Sequence, residues 1–331
     1  MYRIIGLLLF LASVCWSPLS PAATPTKSQP ILRLEGPIHA PRLSPRRPLL
    51  AFTDLNGRSL RILDLTNHEV VEVTPQQVGP SYFWSPDGVR LLYREHIRKG
   101  KEVESQIHAY DAQLNRSARL DTLPGTSGYL SFDPRRSVLL LVHNTGILQR
   151  HLNFPGNRPA TWQKTKPKQD GQWIATQAAV LWLTDLGLSL VKMPDDQSGV
   201  QSFAVSPDGL RIAWSTQKGK LYVAQAGASK PQFIGEGRDP SWHPFKTLLV
   251  YAAARRVGSR VYDHDLRIDD LQGGARFLQT TPDLEERWPL WIDATQLIYT
   301  ANGVTDLFRL DLSPPAPLAS SENPTPRKVP Q

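Results

Sequence analysis

The chain has 331 residues, 29 of them proline and 9 tryptophan, with 38 basic against 30 acidic side chains and a single cysteine, Cys15. One cysteine excludes a disulfide framework and a zinc site built on thiolates, so stability must come from burial. The net charge of +8 is spread along the chain and not gathered into one block, and no nucleic-acid partner is expected for a chain exported as its first residues suggest.

Residues 1–23 read as an export signal. Arg3 supplies a positive start, Ile4 to Val14 is apolar, and Ser17-Pro18-Leu19-Ser20-Pro21-Ala22-Ala23 breaks a helix and offers small residues for cleavage. The apolar run is short of the roughly 20 residues that span a bilayer, so no transmembrane span is expected in the mature form. Val14 before Cys15 is too large for a lipoprotein signal. The mature chain, residues 24–312 with a Pro- and Ser-rich tail at 313–331, is expected in the periplasm, and the tail is expected to be disordered.

After the leader comes a strand, Pro30-Ile31-Leu32-Arg33-Leu34-Glu35, and then a repeating unit. The clearest copy is Tyr82-Phe83-Trp84-Ser85-Pro86-Asp87-Gly88-Val89-Arg90-Leu91-Leu92-Tyr93, two apolar strands about a tight turn. Pro86 presets φ in the turn, and Gly88 accepts the positive φ that closes it. Units begin at His39, Ser81, Gly128, Gln172, Phe203, Asp239 and Trp288. Each has an inner strand, a turn, a second strand and a third, as in Leu43-Ser44-Pro45, Leu49-Leu50-Ala51-Phe52 and Leu60-Arg61-Ile62-Leu63. The second unit carries a long polar loop, including His96 to Lys101, before Gln106-Ile107-His108-Ala109-Tyr110. The fourth is degenerate, with Thr176-Gln177-Ala178 where the turn should be. Outer strands follow the first, fifth and sixth units at Glu69 to Val73, Pro231 to Ile234 and Ala275 to Leu278. None follows the last, and the spare N-terminal strand matches that gap.

The spacing is that of an all-β propeller of four-stranded blades, seven in number, or six if the unit without its turn is not one, closed by the N-terminal strand. The pattern aromatic-Ser-Pro-Asp-Gly-x-Arg-hydrophobic, at Phe83 to Tyr93 and at Val205 to Trp214, resembles the repeats of TolB-type β-propellers. Related repeats occur in the propellers of prolyl oligopeptidase-like peptidases and in oligogalacturonate lyases. The resemblance implies a non-catalytic scaffold that binds an envelope or periplasmic protein as a monomer, without a cofactor. The N-terminal α/β domain of TolB has no counterpart before the first strand here.

In such a fold, loops leading into the inner strands line one face around the channel. His39, Tyr82, Tyr129, Arg238, Asp239, Glu285, Glu286 and Arg287 are expected there, with Arg255 and Arg256 from a loop joining second and third strands. A carbohydrate-active lyase or hydrolase is the other reading, with His39, His143 and Gln201 as metal ligands, but these are scattered with no spacing rule and no HExxH pair. No Gly-x-Ser-x-Gly elbow houses a serine nucleophile. His108, His151 and His264 fall on or beside outer strands, where packing or solvent accounts for them. Trp84, Trp214, Trp242 and Trp291 are expected to pack between blades.

Overall fold

The computed structural model describes residues 28–79, 82–124, 129–133, 138–143, 146–151, 163–164, 172–175, 180–184, 187–191, 198–228, 230–279 and 284–312. The leader, the C-terminal tail, Thr176-Gln177-Ala178 and the side chains of Tyr129 and His143 lie outside them.

The described residues form strands and turns and no helix. The repeat sets the element order. The first unit holds β2 (His39–Leu43), β3 (Leu49–Thr53), β4 (Arg58–Asp64) and β5 (Val70–Gln77), and the second β6 (Tyr82–Trp84), β7 (Arg90–Lys99), β8 (Glu102–Asp111) and β9 (Arg116–Pro124). Next come β10 (Tyr129–Asp133), β11 (Val138–His143), β12 (Gly146–His151) and β13 (Gln163–Lys164), then β14 (Gln172–Ala175), β15 (Val180–Thr184) and β16 (Gly187–Leu190). The fifth has β17 (Val200–Val205), β18 (Arg211–Thr216) and β19 (Lys220–Gln225), and β20 (Gln232–Trp242) leads to β21 (Leu249–Val257), β22 (Arg260–Asp269) and β23 (Ala275–Gln279). The last has β24 (Arg287–Trp291), β25 (Gln296–Ala301) and β26 (Asp306–Asp311). Neighbours pair antiparallel, as strands joined by short turns must.

The N-terminal strand β1 (Ser28–Arg33) pairs with β26, Ser28 opposite Leu310 and Gln29 opposite Arg309, and so lies in the sheet of the last unit. It starts two residues earlier than the apolar pattern Pro30 to Glu35 suggests.

Several segments differ from expectation. His96 to Lys101 is not a loop: β7 and β8 run as a long hairpin that turns at Gly100. Arg255 and Arg256 likewise lie within β21, near its turn at Gly258. Both hairpins extend past the apolar part of their sheets into polar and charged residues, so the apolar alternation that marks a strand is lost. Pro231 to Ile234 and Asp239 to Trp242, read as separate strands, belong to the single strand β20. It serves β19 with its first half and β21 with its second. Gly237 sits at the crossover, where a Cβ would lie 2.6 Å from the Ala252 carbonyl oxygen. The outer strand β9 was not legible, because Arg116-Ser117-Ala118-Arg119 carries no apolar run.

Apolar clusters join each unit to the next. Leu60 and Ile62 meet Tyr82 and Leu91; Ile107 meets Leu130; Leu140 meets Ile174. Trp182 meets Trp214, Leu221 meets Tyr251, and Val250 meets Trp291 and Leu297. The last unit then packs on the first, with Ile298 and Leu307 against Leu50, Phe52 and Leu63. The four tryptophans lie in these clusters, as expected. Trp84 Nε1 and Trp242 Nε1 donate to the carbonyls of Arg42 and Ala204 on the neighbouring inner strands.

The turns repeat atom for atom. Ser85 Oγ accepts the Arg90 amide at 2.9 Å and Asp87 Oδ1 that of Val89 at 3.0 Å. Ser206 and Asp208 do the same for Arg211 and Leu210, each at 2.9 Å. At Gly88, φ is +70°, and a Cβ there would meet Ser44 Oγ at 2.5 Å. Where His243 replaces the serine, its Nδ1 accepts the amides of Phe245 and Lys246, which leaves Nε2–H to donate to the Ala294 carbonyl at 3.1 Å.

Candidate functional site

At the opposite end, three inner strands begin with the same irregularity. His39-Ala40-Pro41, Arg238-Asp239-Pro240 and Arg287-Trp288-Pro289 each interrupt the ladder to the second strand. Ala40, Asp239 and Trp288 have φ of +49°, +56° and +51°. Proline cannot donate to the ladder, so the strand bulges, and a residue before proline held at positive φ is strained.

A neighbouring strand holds each bulge. Tyr82 Oη donates to the Ala40 carbonyl at 2.5 Å, the Asp239 amide donates to Ser202 Oγ at 3.0 Å, and the Trp288 amide faces Asp239 Oδ2 at 3.4 Å. The left-handed turn re-aims these side chains, which would otherwise alternate between the faces of a flat sheet.

The charged groups pair. Arg287 Nε donates to Asp239 Oδ2 at 2.7 Å, their side chains 14% and 1% exposed, and Arg287 Nη1 reaches Glu285 Oε1 at 3.2 Å. Burial opposes the charge on Arg287, but Asp239 and Glu285 hold it more firmly protonated than usual. His264 Nδ1 lies 3.1 Å from Glu285 Oε1. Its hydrogen bond, with Arg287 adding to it against a smaller cost of burial, holds Glu285 down to about 2. Burial lowers the basicity of His39 and Arg238, and Arg287 lowers both further. The His39 ring meets Trp288 edge-on at 5.3 Å, and the Arg287 guanidinium lies 5.7 Å from the Trp288 ring.

A second cluster adjoins this one. Arg255 Nε reaches Asp265 Oδ2 at 3.1 Å, and Asp263, Asp265 and Glu286, all buried, bring carboxylate oxygens within 4.8 Å of one another. Burial pushes Asp265 up to about 6, with Arg255 opposing, and also raises Asp263. Among the described residues this group is the one able to hold a metal.

Of the ten expected site residues, Asp239, Glu285, Arg287 and His39 thus meet around Trp288, with Arg238 in their field. Glu286 and Arg255 belong to the carboxylate cluster. Tyr82 is fully enclosed and lines no surface; it props the Ala40 bulge. Arg256 pairs with Glu236 of the neighbouring strand β20 and donates to the Ser259 carbonyl in its own hairpin. Tyr129 lies in β10. Gln201 is exposed and His39 packs on Trp288, so neither joins the group able to hold a metal.

Sequence reading missed Trp288, Asp263, Asp265 and the place of His264, which touches Glu285. The signal for Trp288 is the proline that follows it near the start of an inner strand, shared with Ala40-Pro41 and Asp239-Pro240. For the aspartates it is acidic residues at i and i+2 on a strand whose neighbours are apolar. His96 and Arg98, from the basic hairpin, line with Arg58, Gln76 and Gln77 an open cleft of about 670 Å³.

No family model matches the chain, and no curated protein sequence matches it. Among solved structures, a chain of the crystal structure of a mitotic checkpoint complex is similar in fold, with a TM-score of 0.55 at 15% identity, over 94% of this chain and 98% of that one. With the antiparallel units described above, this likeness gives the chain a β-propeller-type fold.

Proposed function

We propose that the chain is a closed ring of seven blades and acts as a non-catalytic scaffold that binds a protein partner in the periplasm or cell envelope, the role implied by its resemblance to TolB-type propellers. Support for the ring comes from β1 in the sheet of the last unit and from the apolar contact between last and first units. A ring leaves no blade with an open edge.

The observation that carries the interaction reading is Trp288. It is a half-buried aromatic on a bulge, flanked by His39 and by an Arg287 whose position is fixed by two carboxylates. Tryptophan and arginine dominate binding energy at protein interfaces, and rigid side chains lose little entropy on association. The mixed charges around them favour one partner over others.

The test is capture from an envelope extract by the purified mature chain. Trp288→Ala, folded by circular dichroism, is expected to lose the partner that the wild type retains. Equal capture by both would contradict the reading. Export is tested by mass spectrometry of the mature N-terminus, where a start near residue 24 in the periplasmic fraction is expected and an intact Met1 in the cytosol contradicts it.

A further inference from the structure

Asp263 and Asp265 stand two residues apart on β22, so their side chains leave the strand on one face. Glu286 is brought to them by its own backbone, whose amide donates to the His264 carbonyl at 3.0 Å. The three residues are 4%, 0% and 0% exposed. Asp263 Oδ1 accepts the His264 amide at 2.7 Å, but its buried Oδ2 has no hydrogen-bond partner. Asp265 Oδ2 is paired with Arg255, and its buried Oδ1 has none. Buried carboxylate oxygens without partners are costly, and Asp263 Oδ2 and Asp265 Oδ1 are two of them side by side. Something positive completes this site.

We propose that Asp263, Asp265 and Glu286 bind a hard divalent cation of calcium's size. The donor set is oxygen alone, without the nitrogen or sulfur that zinc or copper favours. Calcium holds oxygens at about 2.3–2.6 Å, so two of its ligands stand at most about 5 Å apart. The 4.8 Å span of the three oxygens fits that limit. Magnesium, at about 2.0–2.1 Å in a strict octahedron, would require the group to contract. The unpartnered Asp263 Oδ2 and Asp265 Oδ1 become ligands, while Asp265 Oδ2 keeps its pair with Arg255. The ion ties β22 of one unit to the start of β24 in the next, beside the Arg287 and Asp239 pair, and so holds the bulged face in register.

The experiment is calorimetric titration of the EDTA-stripped mature chain with calcium, magnesium and manganese chlorides, alongside thermal unfolding at each concentration. Saturable uptake of one calcium is expected, with a midpoint that rises by several degrees at roughly a hundredfold excess over Kd. Asp263→Asn and Glu286→Gln each remove a buried charge while keeping shape, and each is expected to weaken calcium binding by roughly tenfold or more. Absence of calcium uptake with an unmoved midpoint overturns the proposal. So does uptake unchanged in both variants, which would put the ion elsewhere, or a preference for magnesium over calcium.

Discussion

The two ends of the inner strands follow different rules. At the turn end the chain repeats itself: Ser85 and Ser206 accept the equivalent amides, and His243 closes its own turn with a ring nitrogen that accepts the amides of Phe245 and Lys246 instead. At the bulge end the backbone repeats but the side chains do not, with Ala40, Asp239 and Trp288 in equivalent left-handed positions. Closing a hairpin needs the same hydrogen bonds in each unit, so the turn tolerates little variety. The bulge fixes only the backbone and leaves the side chain free to differ, and it is there that the charged network is built.

The sharpest way to break this comparison is to remove a charge at the bulge end. Arg287→Met leaves Asp239 buried without its partner, and the unfolding free energy is expected to fall by about 3–5 kcal/mol in a denaturant titration. Adding Asp239→Asn should recover part of the loss, since no isolated charge then remains. A change within error for the single variant would mean that the pair is not formed.

A middle-sized effect comes from the glycines, one at each end. Gly88→Ala forces a Cβ towards Ser44 Oγ at positive φ, and Gly237→Ala forces one against the Ala252 carbonyl oxygen. Each is expected to cost about 1–3 kcal/mol by thermal or chemical unfolding. The serine hydroxyl can rotate away whereas the carbonyl cannot, so Gly237→Ala should be the worse of the two.

The smallest effect is in the pH dependence. Glu285 is held at about 2, below its ordinary 4.5, so its contribution is fully present above the ordinary value and is lost as pH falls through the lower one. Glu285 is 45% exposed, and solvent screening keeps the contribution small. The stability advantage of wild type over Glu285→Gln should therefore shrink as pH falls from about 4.5 to 2, measured as unfolding midpoints across that range. Parallel profiles for the two chains would remove Glu285 from the network.

The turn end was legible in the sequence for the same reason that it repeats. Proline, aspartate and glycine are demanded by backbone geometry, so Ser85-Pro86-Asp87-Gly88 and its copies mark the strands on either side. The spare first strand was legible too, because Ile31 and Leu32 needed a sheet and the last unit lacked a strand. The long hairpins were not, because His96 to Lys101 and Arg255-Arg256 carry polar and charged side chains where the apolar alternation ends. Of the site, the charged residues Asp239, Glu285 and Arg287 were found by their position, but which partner each would take depends on bulges that re-aim them. Asp263 and Asp265 stayed hidden because acidic residues on a strand read as a solvated face until the neighbouring sheet covers them.

The pairing of β1 with β26 joins the two ends of the described chain, and a cross-link tests it directly. Gln29 and Arg309 are opposed in the ladder, and opposed antiparallel residues stand about 4.5–5.5 Å apart at Cα, a separation at which paired cysteines can bond. Gln29→Cys with Arg309→Cys, in a Cys15→Ser background, should form an intramolecular disulfide in the folded chain. Closing so long a loop should raise the unfolding free energy by roughly 5 kcal/mol in the chain-entropy model. Free thiols after oxidation, or disulfides formed only between molecules, would show the first strand lying elsewhere.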